Sequence, residues 1–300
     1  MGNDISRPIV LKDHDPNVPP SLQFSRHRKM VIASVFSQTR KYLCFSTLHS
    51  YEKFKSAGRK VGTQQNLDDD GLGVPVFEFE DPYAISRMMK QDGVRFRIYK
   101  FVLQSPLDPI PHPNSTVVCQ DKQKVIYKIP FCEVCRHYSG FRLSYSYTFF
   151  TPEGLVEVLA KKHKGVLDLD TRLGEWNVTW RHAGCGNYDL VVLPSSAPSL
   201  LDDKEIRKNK ARAGGGSDAH HKGAVVWAKY WGYREAFLPH FTRKLATLDV
   251  GEVPFETDAA EYGLRSIPWY SQVIACMAMV QCQVQQERSR RRNRNSSTVN

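Results

Sequence analysis

The chain has 300 residues, 41% of them hydrophobic and 24% charged, close to the proportions of soluble globular domains, which excludes a fibre, a wholly disordered chain and a polytopic helical membrane protein. Lys+Arg 42 against Asp+Glu 31 leaves a net charge of +11, so an anionic partner is expected, either nucleic acid or an acidic membrane surface. The best candidate for a spanning helix, Val273 to Val280, is far shorter than the roughly 18 apolar residues a bilayer requires.

The N-terminus reads Met1-Gly2-Asn3-Asp4-Ile5-Ser6, which has no apolar core and is not expected to be a signal peptide. It does match Met-Gly-x-x-x-Ser, the acceptor pattern for N-myristoylation. Gly2 is the residue such chemistry needs, because the acyl chain is placed on its free α-amine and a side chain there would obstruct the enzyme. Residues 1–28 are polar and punctuated by Pro16, Pro19 and Pro20, a composition expected of a flexible tether. A single β-rich domain is expected over 29–287. Between Lys29 and Leu48 two β-branched and aromatic runs flank Ser37-Gln38-Thr39, which predicts two short strands. Residues 55–73, with four glycines and Asp68-Asp69-Asp70, read as a disordered loop.

From Val94 the alternation strengthens. Val94, Phe96 and Ile98 alternate with Arg95, Arg97 and Tyr99, and further strand-like runs cover 116–119, 124–131, 141–149, 154–160, 176–182 and 188–193. In 141–149 the odd positions are Phe141, Leu143, Tyr145, Tyr147 and Phe149, while the even ones are Arg142, Ser144, Ser146 and Thr148. That period of two does not fit a helix. A second disordered loop is expected at 202–223, rich in Lys, Arg and Gly, with His220-His221 inside it. Strand character returns over 224–233.

The last element differs in kind. Ser266 is positioned as an N-cap with Pro268 in the first turn, and Val273 to Val280 is apolar on every face, as a helix enclosed by other structure must be. After glutamines at 281, 283, 285 and 286 comes a basic tail, 288–300, carrying Arg288, Arg290, Arg291, Arg292 and Arg294 and expected to be disordered. The fold class is therefore α+β, mainly β: an antiparallel β-barrel or strongly bent sheet enclosing a C-terminal apolar helix.

This order of elements resembles the tubby and phospholipid-scramblase superfamily. The resemblance covers residues 29 to 287 and is architectural. No tubby C-terminal signature and no scramblase-like acidic calcium segment is present, so no binding residue is carried over. The resemblance implies a closed barrel threaded by its last helix and an association with membranes or phosphoinositides. Two other readings stand beside it: an ordinary buried helix of another α+β fold, and a basic amphipathic helix over 266–294 for a membrane surface or a calmodulin-like partner.

Function is expected to be non-enzymatic. There is no Gly-x-Ser-x-Gly, Walker loop, His-Glu-x-x-His or dinucleotide fingerprint, so no catalytic residue is assigned. Cys185, between two glycines and close in sequence to His182, is the nearest thing to an exposed nucleophile. Cys132, Cys135, His182 and Cys185 have the residue types of a Cys₃His zinc site, although a Cys-x-x-Cys pair must lie on a turn to share one metal. No other cofactor is indicated. The first reading is a cytoplasmic, membrane-peripheral protein held to anionic lipid or phosphoinositide by myristoyl-Gly2 and the arginine tail. The alternatives are a cytosolic or nuclear RNA-binding protein, using Arg95, Arg97, Arg142, Lys161 and Lys162 with interleaved Phe96, Tyr99, Tyr145 and Tyr147, and a zinc-containing enzyme. Seven scattered cysteines fit the reducing compartment this assumes.

Overall fold

The computed structural model describes residues 18–34, 41–58, 61, 71–81, 94–121, 123–139, 142–164, 167–202, 204–206, 224–233, 243–253 and 267–296. Its strands are β1 (Arg26–Ser34), β2 (Lys41–Phe45), β3 (Phe77–Glu80), β4 (Val94–Gln104), β5 (Thr116–Gln120), β6 (Val125–Ser139), β7 (Arg142–Thr151), β8 (Gly154–Lys162), β9 (Leu169–Leu173), β10 (Trp176–His182), β11 (Tyr188–Val192), β12 (Val226–Gly232) and β13 (Arg243–Glu252). Helix α1 spans Leu48–Ser56 and helix α2 spans Trp269–Ser296.

The sheet runs β4-β3-β2-β1-β13-β12-β11-β10-β9-β8-β7-β6, and β4 pairs with β6 as well as with β3, which closes twelve strands into an antiparallel barrel. β5 lies outside the ring against the first half of β6. Closure removes the exposed edges of an open sheet.

The period of two decides what fills the barrel. On β7, Tyr145, Tyr147 and Phe149 point inward and are at most 4% exposed. The lumen is occupied by α2, whose residues Val273 to Val280 are all buried, so one helix, apolar on every side, meets wall on every side. Trp269 starts the helix edge-on to Phe131 and Phe149, and Ser271 donates to Glu252 Oε1 at 2.9 Å. The buried Glu252 carboxylate also accepts from Arg28 Nε at 2.8 Å and Arg26 Nε at 3.1 Å. This end of the barrel, where α2 begins, is the base; the end where α2 leaves is the mouth.

α1 packs on the outer surface. Thr47 caps it by accepting from the Ser50 N–H at 3.0 Å, and Tyr51 and Phe54 join Val31, Ala33, Leu43 and Phe45 in a second, smaller core. β1 and β2 are therefore buried on both faces, which is why their apolar residues run consecutively.

Two boundaries differ from the sequence expectation. Residues 18–28, assigned by composition to the tether, belong to the barrel: Val18, Leu22 and Phe24 are buried, and Arg26–Arg28 open β1. Phe24 lies against Gly251 so closely that a β-carbon there would fall 2.5 Å from its ring. The basic tail is helical as far as Ser296. Once the enclosed half of α2 has formed, each added residue is inexpensive, arginine is a good helix former, and cations suit a helix C-terminus. Residues 1–17, most of the loops expected at 55–73 and 202–223, and Ser266 lie outside the described residues.

Candidate functional site at the barrel mouth

Strand parity fixes what lines the mouth. β6 turns Cys132 and Val134 inward, so Arg136 follows on the same face, and β8 turns Val158 and Ala160 inward, followed by Lys162. Arg136 is opposite Tyr145 on β7 and Tyr145 is opposite Ala160 on β8, which sets the two cations along one stretch of wall. α2 leaves the lumen beside them with Glu287 and Arg288.

The charges divide into a closely paired side and a sparsely paired side. On the paired side Arg95 Nη2 bonds Glu287 Oε1 at 2.8 Å and Arg95 Nη1 lies 3.5 Å from Asp81 Oδ1. Gln283 donates to Asp81 Oδ2 at 3.1 Å and accepts from the Tyr42 hydroxyl at 2.6 Å, so the helix is bolted to β2 and β3. On the other side Arg136 reaches Glu287 only at 3.9 Å, and its Nε is buried without a hydrogen-bond acceptor among the described residues. Neither Lys162 nor Arg288 is paired with a described carboxylate. Burial lowers the pKa of Lys162, and the positive charges of Arg288 and Arg136 lower it further. Burial raises the Tyr188 pKa, opposed by Arg288 close to its hydroxyl. Three cations thus face one another where an anion would relieve their repulsion.

A latch stands next to this cluster. His163 Nε2 lies 2.7 Å from Asp170 Oδ1, and Asp170 Oδ2 accepts from the Leu200 N–H at 2.8 Å, which ties the segment after β11 to β9. The hydrogen bond to Asp170 raises the His163 pKa above 6.5, against the opposing effect of burial. A histidine raised in the folded state adds stability that is fully present below its unfolded value and lost as pH rises through its folded value. Between about pH 6 and about pH 8.5 the urea midpoint should therefore fall more for the wild type than for His163→Gln. Equal falls would remove the latch from the pH dependence.

The zinc arrangement does not assemble. Cys132 and Cys135 lie three apart on one extended strand and so face opposite sides, Cys132 buried in the lumen and Cys135 outside it. Burial pushes the Cys132 thiol up, away from the thiolate a metal would need. Cys185 is exposed in the turn after β10, with φ +48°, and the His182 ring packs edge-on to Tyr188 at 5.2 Å. Among the described residues no three His, Cys, Asp or Glu side chains converge on a metal position. Phe96, Tyr145 and Tyr147, candidates for base stacking, are buried in the core.

Of the expected anionic-lipid residues, Arg288 is at the mouth. Arg290, Arg291, Arg292 and Arg294 continue the same helix, their side chains outside the described residues, as is Gly2. Arg136 was not singled out as a site residue from the sequence, and Lys162 appeared only among the basic residues of an RNA surface. The signal that locates both is the inward parity of β6 and β8 carried one step beyond the last apolar position. Among the described residues no helix is long and apolar enough to cross a membrane.

Three Saccharomyces cerevisiae proteins resemble this chain along most of its length. Uncharacterized protein YOR385W is 30% identical over 271 residues, covering 89% of both chains. Protein DIA1 is 25% identical over 276 residues, covering 88% of this chain and 80% of its own, and uncharacterized protein YNL165W is 25% identical over 285 residues, covering 86% and 69%. No solved structure matches. Residues 25–290, which take in every strand of the barrel and the enclosed length of α2, match the DIA1 family, and the chain belongs to that family.

Proposed function

We propose that the protein is a non-enzymatic, peripheral membrane protein of the cytoplasm that presents its cationic barrel mouth to anionic lipid, with phosphoinositide headgroups as the preferred ligand and an acyl chain on Gly2 as a second anchor. The observation that carries this reading is the convergence of Arg136, Lys162 and Arg288, whose one carboxylate contact is the 3.9 Å approach of Arg136 to a Glu287 already bonded to Arg95, directly below the arginine-rich end of α2. A closed barrel filled by its C-terminal helix is also the architecture that the tubby and scramblase resemblance implied, and we keep that kinship as part of the proposal.

The energetics require both signals. One myristoyl chain binds a bilayer only marginally, with a constant near ~10⁴ M⁻¹, and each cation held at an anionic leaflet adds about 1 kcal/mol. Arg288 stands about 30 Å along the helix from Trp269, at the opposite end from Phe24 and the start of β1. The chain from Gly2 to Val18 can extend roughly 50 Å, enough for both signals to meet one membrane.

The test is co-sedimentation with vesicles, neutral against phosphoinositide-containing, over a salt series. Acylated wild type should pellet selectively and lose binding as salt rises, Gly2→Ala should release most of it, and Arg→Gln changes at 288, 290, 291, 292 and 294 should flatten the salt dependence. Full pelleting by both variants would sink the two-anchor reading, and displacement of the protein by RNA at equal phosphate would favour a nucleic-acid partner.

A further inference from the structure

At the base the barrel wall is split. β8 and β9 pair only at Ala160 with Thr171, Lys161 with Asp170 and Lys162 with Leu169, so Gly154 to Leu159 have no described strand along that edge. The gap opens a cleft of about 460 Å³. Val156, Val158 and Leu173 form its walls together with Glu157 and Arg172, and α2 forms its floor from Trp269 to Val273. Val156 points inward, opposite Phe149, yet is 38% exposed, with no described strand beside it on the β9 side. Leu155 beside it is 69% exposed. A cleft of this size, apolar toward the central helix and polar at Glu157 and Arg172, falls within the roughly 300–1,000 Å³ of ligand sites.

We propose that this cleft shelters the acyl chain of Gly2 while the protein is off the membrane; the inference rests on the Gly2 acylation put forward above. Three observations select this occupant. The described chain begins at the same end: the Phe24 ring lies tilted 5.8 Å from Trp227, and Trp227 lies 5.4 Å from Tyr270 on the cleft floor. The residues from Gly2 to Val18 span up to roughly 50 Å, so the acyl chain reaches the cleft with slack. The cationic mouth lies at the other end, so a chain in the cleft is withheld from a bilayer facing the mouth, and the two sites compete for it. Because a lone myristoyl chain prefers a bilayer so weakly, at ~10⁴ M⁻¹, a cleft of modest affinity is enough to set that balance.

The test uses the full chain made with and without an N-myristoyltransferase, with acylation read by intact mass. In lipid-free buffer the acylated form should melt higher than the unacylated one. Val156→Trp, which fills the cleft, should erase that difference. It should also raise pelleting of the acylated form with phosphatidylserine vesicles roughly tenfold, the effect of about two methylenes released from burial, and leave the unacylated form unchanged. Leu159→Glu, which sets a carboxylate at the exposed lip, should act in the same direction if the tryptophan variant fails to fold. Equal melting of the two wild-type forms would overturn the proposal. So would a rise in melting on adding free myristate to unacylated protein without any rise on acylation, which would assign the cleft to an exogenous fatty acid. A melting difference in protein that pellets in no variant would keep the cleft and overturn the membrane anchor instead, whereas an unmodified Gly2 would end both.

Discussion

Met277→Lys should leave the protein unfolded at neutral pH. Met277 is fully buried midway along the enclosed part of α2, in a cluster that includes Trp180, Tyr147, Tyr230 and Leu248 from the surrounding wall. The effective penalty for a buried, unpaired ion is several kcal/mol, against a total stability of about 5–15 kcal/mol for an ordinary domain. The charge has no exit, because wall surrounds the helix. Met277→Leu, which conserves volume, should cost less than about 1.5 kcal/mol. The decisive comparison is near-ultraviolet circular dichroism and gel filtration of the two variants: a soluble Met277→Lys protein melting like wild type would mean that the helix lies on the surface with one side in water. Raising the pH should partly rescue the lysine variant, since its folded state accommodates only the neutral amine.

That experiment bears on the feature most legible in the sequence. Eight unbroken apolar residues from Val273 to Val280 leave no polar stripe for solvent, and the strand runs upstream supply the enclosure. The alternation at 141–149 likewise shows its lumen face directly, with Tyr145, Tyr147 and Phe149 all inside. Three strands and one helix were less visible, each for its own reason. β3 alternates as Phe-Glu-Phe-Glu but is only four residues long. β9 turns Thr171 inward, and its outward Asp170 is buried under the His163 latch, so its pattern is blurred on both faces. β13 is buried on both sides along most of its length, with Thr247 and Asp249 covered as well as Leu248 and Val250, and the period of two disappears. α1 depends on a cap and two aromatics that dock on the outer wall, a tertiary contact. The N-terminal boundary shifted because Val18, Leu22 and Phe24 are too sparse to read as structure, yet they find a place against Gly251 and the base of the barrel.

The site was half legible. A run of arginines at the end of a helix is conspicuous, but Arg288, expected in a disordered tail, lies on the helix where it leaves the barrel. Arg136 and Lys162 are not conspicuous, since each is one basic residue in a strand among many. They matter because β7 pairs with both β6 and β8, setting the two cations two strands apart, and the closed barrel aims both side chains at the departing helix. The cysteines show the converse. Cys132-x-x-Cys135 is prominent in sequence, but an extended strand separates the two thiols across the wall.

The triple variant Arg136→Gln, Lys162→Gln, Arg288→Gln should separate binding from stability. At about 1 kcal/mol for each cation near an anionic leaflet, loss of all three should reduce partitioning onto phosphoinositide vesicles by more than about a hundredfold. The same changes should raise the melting temperature. Lys162 binds its proton less readily folded than unfolded, so its charge opposes folding, and stability rises with pH across the interval between its folded value and the ordinary lysine value of 10.5. Removing the charge should remove that rise. Arg136 contributes little to offset this, since Glu287 keeps its 2.8 Å bond to Arg95 when the 3.9 Å contact is lost. A purely structural cluster would lose stability when its members are neutralised, whereas a site held open for an anion should gain it. The two readings therefore predict opposite signs for the same melting curve, and vesicle titration of the same three-substitution protein shows whether the repulsion stored at the mouth is the binding energy the ligand recovers.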